Sequence, residues 1–228
     1  MDKVGEYTLE IMREAAWYND WLFRKTEEHI KGDILEVGAG IGNFTTSLAS
    51  KGKVTAIDLN RSYITKLGKK LGKTVSIGFG DIETGKYFFS GKKFDTLICL
   101  NVLEHIGNDT IALENMYNLL KDKGNLILLV PAHKLLYSKF DSQLGHFRRY
   151  NVADMKTLLE KAGFANINIK YINWWAAVGW LVFLKLLKNK RLPKNEVGIF
   201  NLLGKMFLWP ENYIAPPFGL SVLAIAQK

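Results

Sequence analysis

The sequence predicts a doubly wound α/β fold: a Rossmann-like seven-stranded sheet, mostly parallel, with helices on both faces. Three observations carry this. Short apolar runs alternate with helical stretches from residue 33 onward, the pattern of βαβ units. A glycine cluster, Gly38-Ala39-Gly40-Ile41-Gly42, closes the first of those runs. The length of 228 residues and a hydrophobic content of 48% suit one core, so residues 1–228 are read as a single domain.

Residues 1–32 read as a helical lead-in, because Leu9, Ile11, Met12, Ala15, Ala16, Tyr18, Trp21, Leu22 and Phe23 fall near helical spacing. Strands are predicted at 33–37, 53–58, 74–79, 94–100 and 125–130, with helices at 42–50, 60–71 and 109–120 between them. A polar and aromatic loop follows at 131–150. Asn151 then serves as the N-cap of a helix with Asp154 three residues on, and Gly163 stops it. The last two strands fall at 165–173 and 220–227. Residues 174–218, rich in Trp, Phe and Leu, exceed an ordinary connection and read as a helical cap inserted before the last strand.

Bulk chemistry narrows the function. The formal charge of +9 invites an acidic partner: nucleic acid, an anionic membrane face or a phosphorylated substrate. The lysines are scattered, and no RNP-type aromatic motif or zinc spacing is present, which argues against nucleic acid. A single cysteine, Cys99, lies in an apolar run and reads as a buried strand residue. No metal is expected. The segment Met1–Glu6 lacks a basic flank followed by an apolar run, so the expected location is the cytoplasm.

The strongest chemical signal is Ile34-Leu35-Glu36-Val37-Gly38-Ala39-Gly40-Ile41-Gly42-Asn43, at a strand end running into a helix. Glycines there let the backbone turn sharply and approach a ligand, with helix N-terminal N–H groups facing it. Asp58 ends the second strand, where a carboxylate accepts both ribose hydroxyls of a nucleoside. Asn43 stands where the dinucleotide fingerprint Gly-x-Gly-x-x-Gly needs its third glycine. Glu36, two residues before the first glycine, would repel a pyrophosphate but suits the ammonium of a sulfonium amino acid.

On these residues the sequence resembles the class I S-adenosylmethionine-dependent methyltransferases, small-molecule branch, whose first motif acidic-x-Gly-x-Gly-x-Gly is matched by Glu36, Gly38, Gly40 and Gly42. Gly80-Asp81-Ile82 resembles the position whose carboxylate meets the adenine amine. Asn101-Val102-Leu103-Glu104-His105-Ile106 resembles the segment flanking the methionine moiety. The resemblance covers residues 33 to 173 and implies an antiparallel last strand. It implies S-adenosylmethionine as cofactor and S-adenosylhomocysteine as product, with Glu36, Gly38, Ala39, Gly40, Gly42, Asn43, Asp58, Leu59, Gly80, Asp81, Ile82, Asn101, Val102 and His105 in the cofactor site and Tyr18 closing over it. Plainer readings stand beside these: Asp81 as a turn cap, His105 as a satisfied core histidine, Tyr18 as helix packing.

A second cluster, His133, Tyr137, Asp141 and Gly145-His146-Phe147-Arg148-Arg149-Tyr150, follows the fifth strand, at the carboxyl edge where open α/β sheets bind ligands. With Pro216-Pro217-Phe218-Gly219 it resembles a methyltransferase branch found beside or fused to glycosyltransferases of polysaccharide and polyprenyl-phosphate sugar pathways. That implies a small-molecule or lipid-linked glycan acceptor methylated on a sugar hydroxyl or carboxylate. His133 or His146 would take the proton of an attacking hydroxyl. Arg148, with Arg149, would clamp an acceptor phosphate or carboxylate; alternatively His146, Arg148 and Tyr150 only pin the loop.

Finally, the apolar run within Trp174–Lys188 is too short to span a bilayer. Residues 174–191 are either an interfacial helix giving peripheral contact at the inner membrane face, or a buried cap over the site. Two rivals remain. A nucleic-acid methyltransferase is opposed by Asn101-Val102-Leu103-Glu104, which stands where base-amine enzymes carry Asn/Asp-Pro-Pro-aromatic. The other is a non-catalytic, membrane-associated module that only binds the cofactor.

Overall fold

A computed structural model describes residues 3–181 and 207–228. Its centre is a sheet of eight strands: β1 (Gly32–Val37), β2 (Gly52–Asp58), β3 (Ser76–Asp81), β4 (Lys86–Tyr87), β5 (Phe94–Leu100), β6 (Leu120–Pro131), β7 (Ala165–Ile172) and β8 (Ser221–Gln227). Their spatial order is β4-β3-β2-β1-β5-β6-β8-β7. Strands β3, β2, β1, β5 and β6 are parallel, while β4 and β8 run antiparallel to their neighbours. The chain lays strands outward on one side of β1, then returns to lay β5 on its other side. That reversal opens a crevice at the carboxyl ends of β1 and β5, the place where doubly wound sheets bind ligands.

The strands read as continuous apolar runs because both faces are covered. Leu35, Leu97, Leu126 and Leu128 turn to one face, packed by Leu113 and Met116 of α5 (Asp109–Leu119) and by Met155 and Leu159 of α7 (Val152–Lys161). Their neighbours Ile34, Ile98, Ile127 and Leu129 turn to the other, since successive strand side chains alternate. That second face is covered by Leu48 of α3 (Thr45–Ala49), Leu67 of α4 (Arg61–Leu71) and Trp21 and Leu22 of α2 (Ala16–Arg24). The lead-in is therefore part of the core.

The structure amends several expectations. Eight strands replace seven, because the two-residue edge strand β4 is too short for any alternation to register. The lead-in is two helices, α1 (Lys3–Glu14) and α2, broken at Ala15, whose ψ of 48° is not helical. The first inter-strand helix begins at Thr45, because Gly42 has a φ of 86° and lies outside helical space. The loop 131–150 carries a helix of its own, α6 (Lys139–Leu144), opened by a capping box between Ser138 and Asp141. Asn151 holds the N-cap position of α7 without a side-chain capping bond. Of the expected cap, α8 (Trp174–Trp180) and a short turn at Trp209–Asn212 are seen, and residues 182–206 lie outside the described residues. Both carboxylate oxygens of Glu211 accept the first N–H groups of α8, from Asn173 at 2.9 Å and Trp174 at 2.8 Å.

Candidate active site

Two groups of residues flank the crevice. The first is built on backbone. Gly38 and Ala39 donate their N–H groups to the Ile57 carbonyl at 2.8 and 3.1 Å, lashing the end of β1 to the end of β2. Gly38 has a φ of 71°, and a Cβ there would lie 2.3 Å from Val102 Cγ2. Only glycine lets the loop after β1 touch the segment after β5. The Asp58 carboxylate accepts Gly40 N–H at 2.8 Å on Oδ2 and Asn60 N–H at 2.7 Å on Oδ1. Burial raises its pKa, and the N–H bonds from Asn60, Gly40 and Leu59 oppose that rise.

Beneath the loop, Glu36 is buried and accepts the Thr45 hydroxyl at 2.6 Å. Burial pushes its pKa up to about 8, the nearby Asp58 carboxylate adding to the rise. A cation brought beside it would return the carboxyl to its charged form. Above the loop, α1 supplies a cover: Asn43 donates to the Leu9 carbonyl at 3.1 Å, Leu9 lies over Gly40, and Glu6 pairs with Lys66 of α4. Asn43 Oδ1 is buried without a hydrogen-bond partner.

The remaining predicted cofactor residues fall as follows. Gly80 packs so tightly on Ile57 that a Cβ would approach it to 2.6 Å. Asp81 Oδ1 accepts the N–H groups of Glu83 and Thr84 at 3.0 and 3.1 Å, the turn-capping role, and Ile82 is buried. Leu59 is exposed beside Asp58. Asn101 has a φ of 53° and donates its N–H to the Leu129 carbonyl at 2.8 Å, bending the chain out of β5. Tyr18 is buried, packs on Trp21 at 5.6 Å and accepts Asn173 Nδ2 at 3.3 Å; its burial raises the phenol pKa to about 12. That contact fits the packing reading.

The second group is built on side chains. Asp141, fully buried, accepts Ser138 N–H and Oγ at 2.8 Å each, faces His146 Nδ1 at 3.0 Å and accepts Arg149 Nε at 2.8 Å. Burial alone would raise its pKa, but the bonds from His146, Arg149 and Ser138 prevail and hold it at about 2. Arg149 is buried too, donating to the Ala132 carbonyl at 3.2 Å with its guanidinium 4.4 Å from the Trp180 ring centre. His146 meets His105 edge to face at 4.6 Å, and Phe147 N–H reaches the Glu104 carbonyl at 2.8 Å. Loop 131–150 is thereby tied to the turn Leu103–His105.

His133 stands elsewhere, stacked on Tyr171 of β7 at 4.7 Å with a φ of 61°. Burial and the Arg149 charge lower its pKa, so the ring stays neutral near pH 7. Arg148 is committed to α5: it pairs with Asp109 at 2.7 Å and donates to the Gly107 carbonyl at 2.7 Å. Tyr150 joins it through a 3.0 Å bond to Asp109. For Arg148 these are the contacts of the loop-pinning reading. Arg149, expected beside Arg148 at an acceptor anion, is instead buried on Asp141, and the sequence marks neither Glu104 nor Asp141 as its neighbour. The available signal was Ser138-x-x-Asp141, the capping-box spacing just before the Gly-His-Phe-Arg-Arg-Tyr string.

A family model described as a methyltransferase domain matches residues 13–169. Among curated proteins, the ubiquinone biosynthesis O-methyltransferase of Rickettsia canadensis (strain McKiel) is 34% identical over 117 residues, 48% of this chain and 48% of that protein. N-methyltransferase 4 of Papaver somniferum is 29% identical over 117 residues, 48% of this chain and 33% of that protein. The chain spans about half or less of the length of these relatives. Among solved structures, a SAM-dependent methyltransferase from Archaeoglobus fulgidus superposes with a TM-score of 0.64 at 18% identity, over 93% of this chain and 94% of that one. Phosphoethanolamine N-methyltransferase 2 of Haemonchus contortus, solved with S-adenosyl-L-methionine, gives 0.61 at 19% identity, over 87% and 49%. These structural likenesses show a shared fold. Since the matched model covers most of the chain and the strand order places the glycine loop at the sheet's reversal, the chain belongs to the methyltransferase-domain family, in its class I, S-adenosylmethionine-dependent form.

Proposed function

We propose that the protein transfers a methyl group from S-adenosylmethionine to an oxygen of a small-molecule acceptor, in the crevice between the glycine loop and loop 131–150. The observation that carries this is the Asp58 carboxylate bonded to Gly40 N–H at the sheet's reversal, with buried Glu36 beneath the same loop. When bound, the cofactor supplies an electrophilic methyl on a sulfonium sulfur. Asp58 would take the ribose hydroxyls and Glu36 the ammonium. The orphaned Asn43 Oδ1 fits a polar ligand lying along the loop. Asp81 would meet the adenine amine, and Asn101, Val102 and His105 the methionine end.

On the acceptor side, Asp141 fixes His146 by Nδ1 and leaves Nε2 to take the proton of an attacking hydroxyl. The fold then needs only to hold oxygen and methyl in line and exclude water. A lipid-linked glycan is the finer reading. It is supported by the Gly-His-Phe-Arg-Arg-Tyr resemblance and by strongly exposed apolar side chains on the same loop, Leu135 at 82% and Phe147 at 62%. Trp180 Nε1 donates to the Leu136 carbonyl at 3.2 Å, so α8 adjoins that surface. Among the described residues, no helix is long and apolar enough to cross a membrane. Calorimetric titration with S-adenosylmethionine and S-adenosylhomocysteine tests the reading: micromolar binding lost in Asp58→Ala is expected, and no binding by the intact protein would overturn it.

A further inference from the structure

We propose that Glu104, His105 and His146 form a binding site for a divalent ion of the zinc class, on the acceptor side of the crevice. One ligand atom from each of the three lies within 4.8 Å of the other two. Donors sharing one such ion stand roughly 3–4 Å apart when each bond is about 2.0–2.2 Å, so modest rotamer adjustment closes the trio. Two imidazoles and a carboxylate are the donor set of open zinc and non-haem metal sites, which keep positions vacant for a substrate.

Two further observations point to an ion. Glu104 is 1% exposed, and its Oε2 is buried with no hydrogen-bond partner. A buried carboxylate oxygen left so beside two imidazoles is costly unless something positive completes it. In addition, His146 is already oriented as metal-bound histidines are: Nδ1 lies 3.0 Å from Asp141 Oδ1, and Ser138 and Arg149 hold Asp141 in turn. A carboxylate behind the imidazole fixes the ring and directs Nε2 at the ion. The two segments are held together without the ion by the Phe147–Glu104 backbone bond, and exposed His105 gives an entry path.

The inference rests on the methyl-transfer reading and deepens it by naming an acceptor class: one that chelates, through vicinal hydroxyls or a hydroxyl beside a carboxylate. The acceptor hydroxyl, bound at the ion's vacant position, gives its proton to solvent, since His146 Nε2 is then occupied. The oxygen's electron pair forms the bond to the methyl carbon as the sulfur–methyl bond breaks. That bond's pair stays on sulfur, and the sulfonium becomes a neutral thioether.

The test is calorimetric titration of the chelator-treated, dialysed full chain with ZnCl2, repeated with CoCl2 while recording visible absorption. One ion per chain is expected, with a d–d spectrum typical of nitrogen-oxygen coordination. Affinity should fall at least about tenfold in each of His146→Ala, His105→Ala and Glu104→Gln. His105 is exposed, so its variant is expected to keep the fold, checked by an unchanged unfolding transition, even where the buried Glu104 variant does not. Absence of saturable binding, or binding untouched by all three substitutions, overturns the inference. S-adenosylhomocysteine titrated into the same chelated wild-type protein separates the claims: its binding without zinc binding rejects the ion and leaves the methyl-transfer reading standing.

Discussion

The two walls of the crevice, assigned to cofactor and acceptor in the proposed function, are made differently. The cofactor wall is backbone: N–H groups of Gly38, Ala39 and Gly40 bond to the end of β2, and the tight approaches need residues without a Cβ. The acceptor wall is a buried ionic network of Asp141, Arg149 and His146, with Glu104 behind it. A backbone wall is specified by a short contiguous string and tolerates little change of residue size. An ionic wall depends on how the folded loop brings its charges together, and its stability hinges on every charge keeping its partner.

The largest effect should come from the acceptor wall. Asp141→Ala leaves Arg149 charged and buried without its carboxylate, and is expected to cost about 3–5 kcal/mol in urea unfolding. A loss under about 1 kcal/mol would mean the network is dispensable. On the cofactor wall, Gly38→Ala forces a positive φ on a residue with a Cβ and drives that atom into Val102. We expect about 1–3 kcal/mol of destabilisation together with weaker S-adenosylhomocysteine binding. Adding Val102→Ala should recover the steric part alone, and full recovery would show that the φ strain is unimportant.

A smaller effect sharpens the contrast through pH. The folded pKa of Glu36, about 8, lies above its unfolded value, so the fold retains a proton that the unfolded chain releases. Stability should therefore fall as pH rises from about 4.5 to about 8, then level off. Measured against Glu36→Gln, which lacks the titration, the wild-type protein should lose stability steadily across this interval. A flat difference would show Glu36 ionised in the free protein. The smallest effect is Tyr150→Phe, which removes a hydroxyl shared between the Leu103 carbonyl and an Asp109 still paired with Arg148, and should cost about 1 kcal/mol.

The same contrast explains what was legible in the sequence. Glu36, Gly38, Asp58 and Val102 sit at strand ends whose apolar runs announce themselves, and the structure brings them together around one loop. The continuous apolar runs at Ile34–Leu35 and Leu126–Leu129 mark strands buried on both faces. The two-residue β4 and the six-residue α6 carry too few residues for any period to appear. The pairing of Glu104 with loop 131–150 depends on a turn between Pro131 and Tyr150 that no spacing encodes, and the same holds for Arg149 under Trp180. His133 and His146 look equivalent as neighbours in one loop. Stacking on Tyr171 in one case and against His105 in the other separates them.

The antiparallel strand β8 lies between β6 and β7, although it follows β7 by 48 residues. During synthesis, then, β6 and β7 emerge early but cannot settle as neighbours. Until residues 221–227 leave the ribosome, the buried run Leu126–Val130 is an open sheet edge, liable to pair with another chain. Insertion of β8 between β6 and β7 is therefore a late, long-range pairing, of the kind that slows folding.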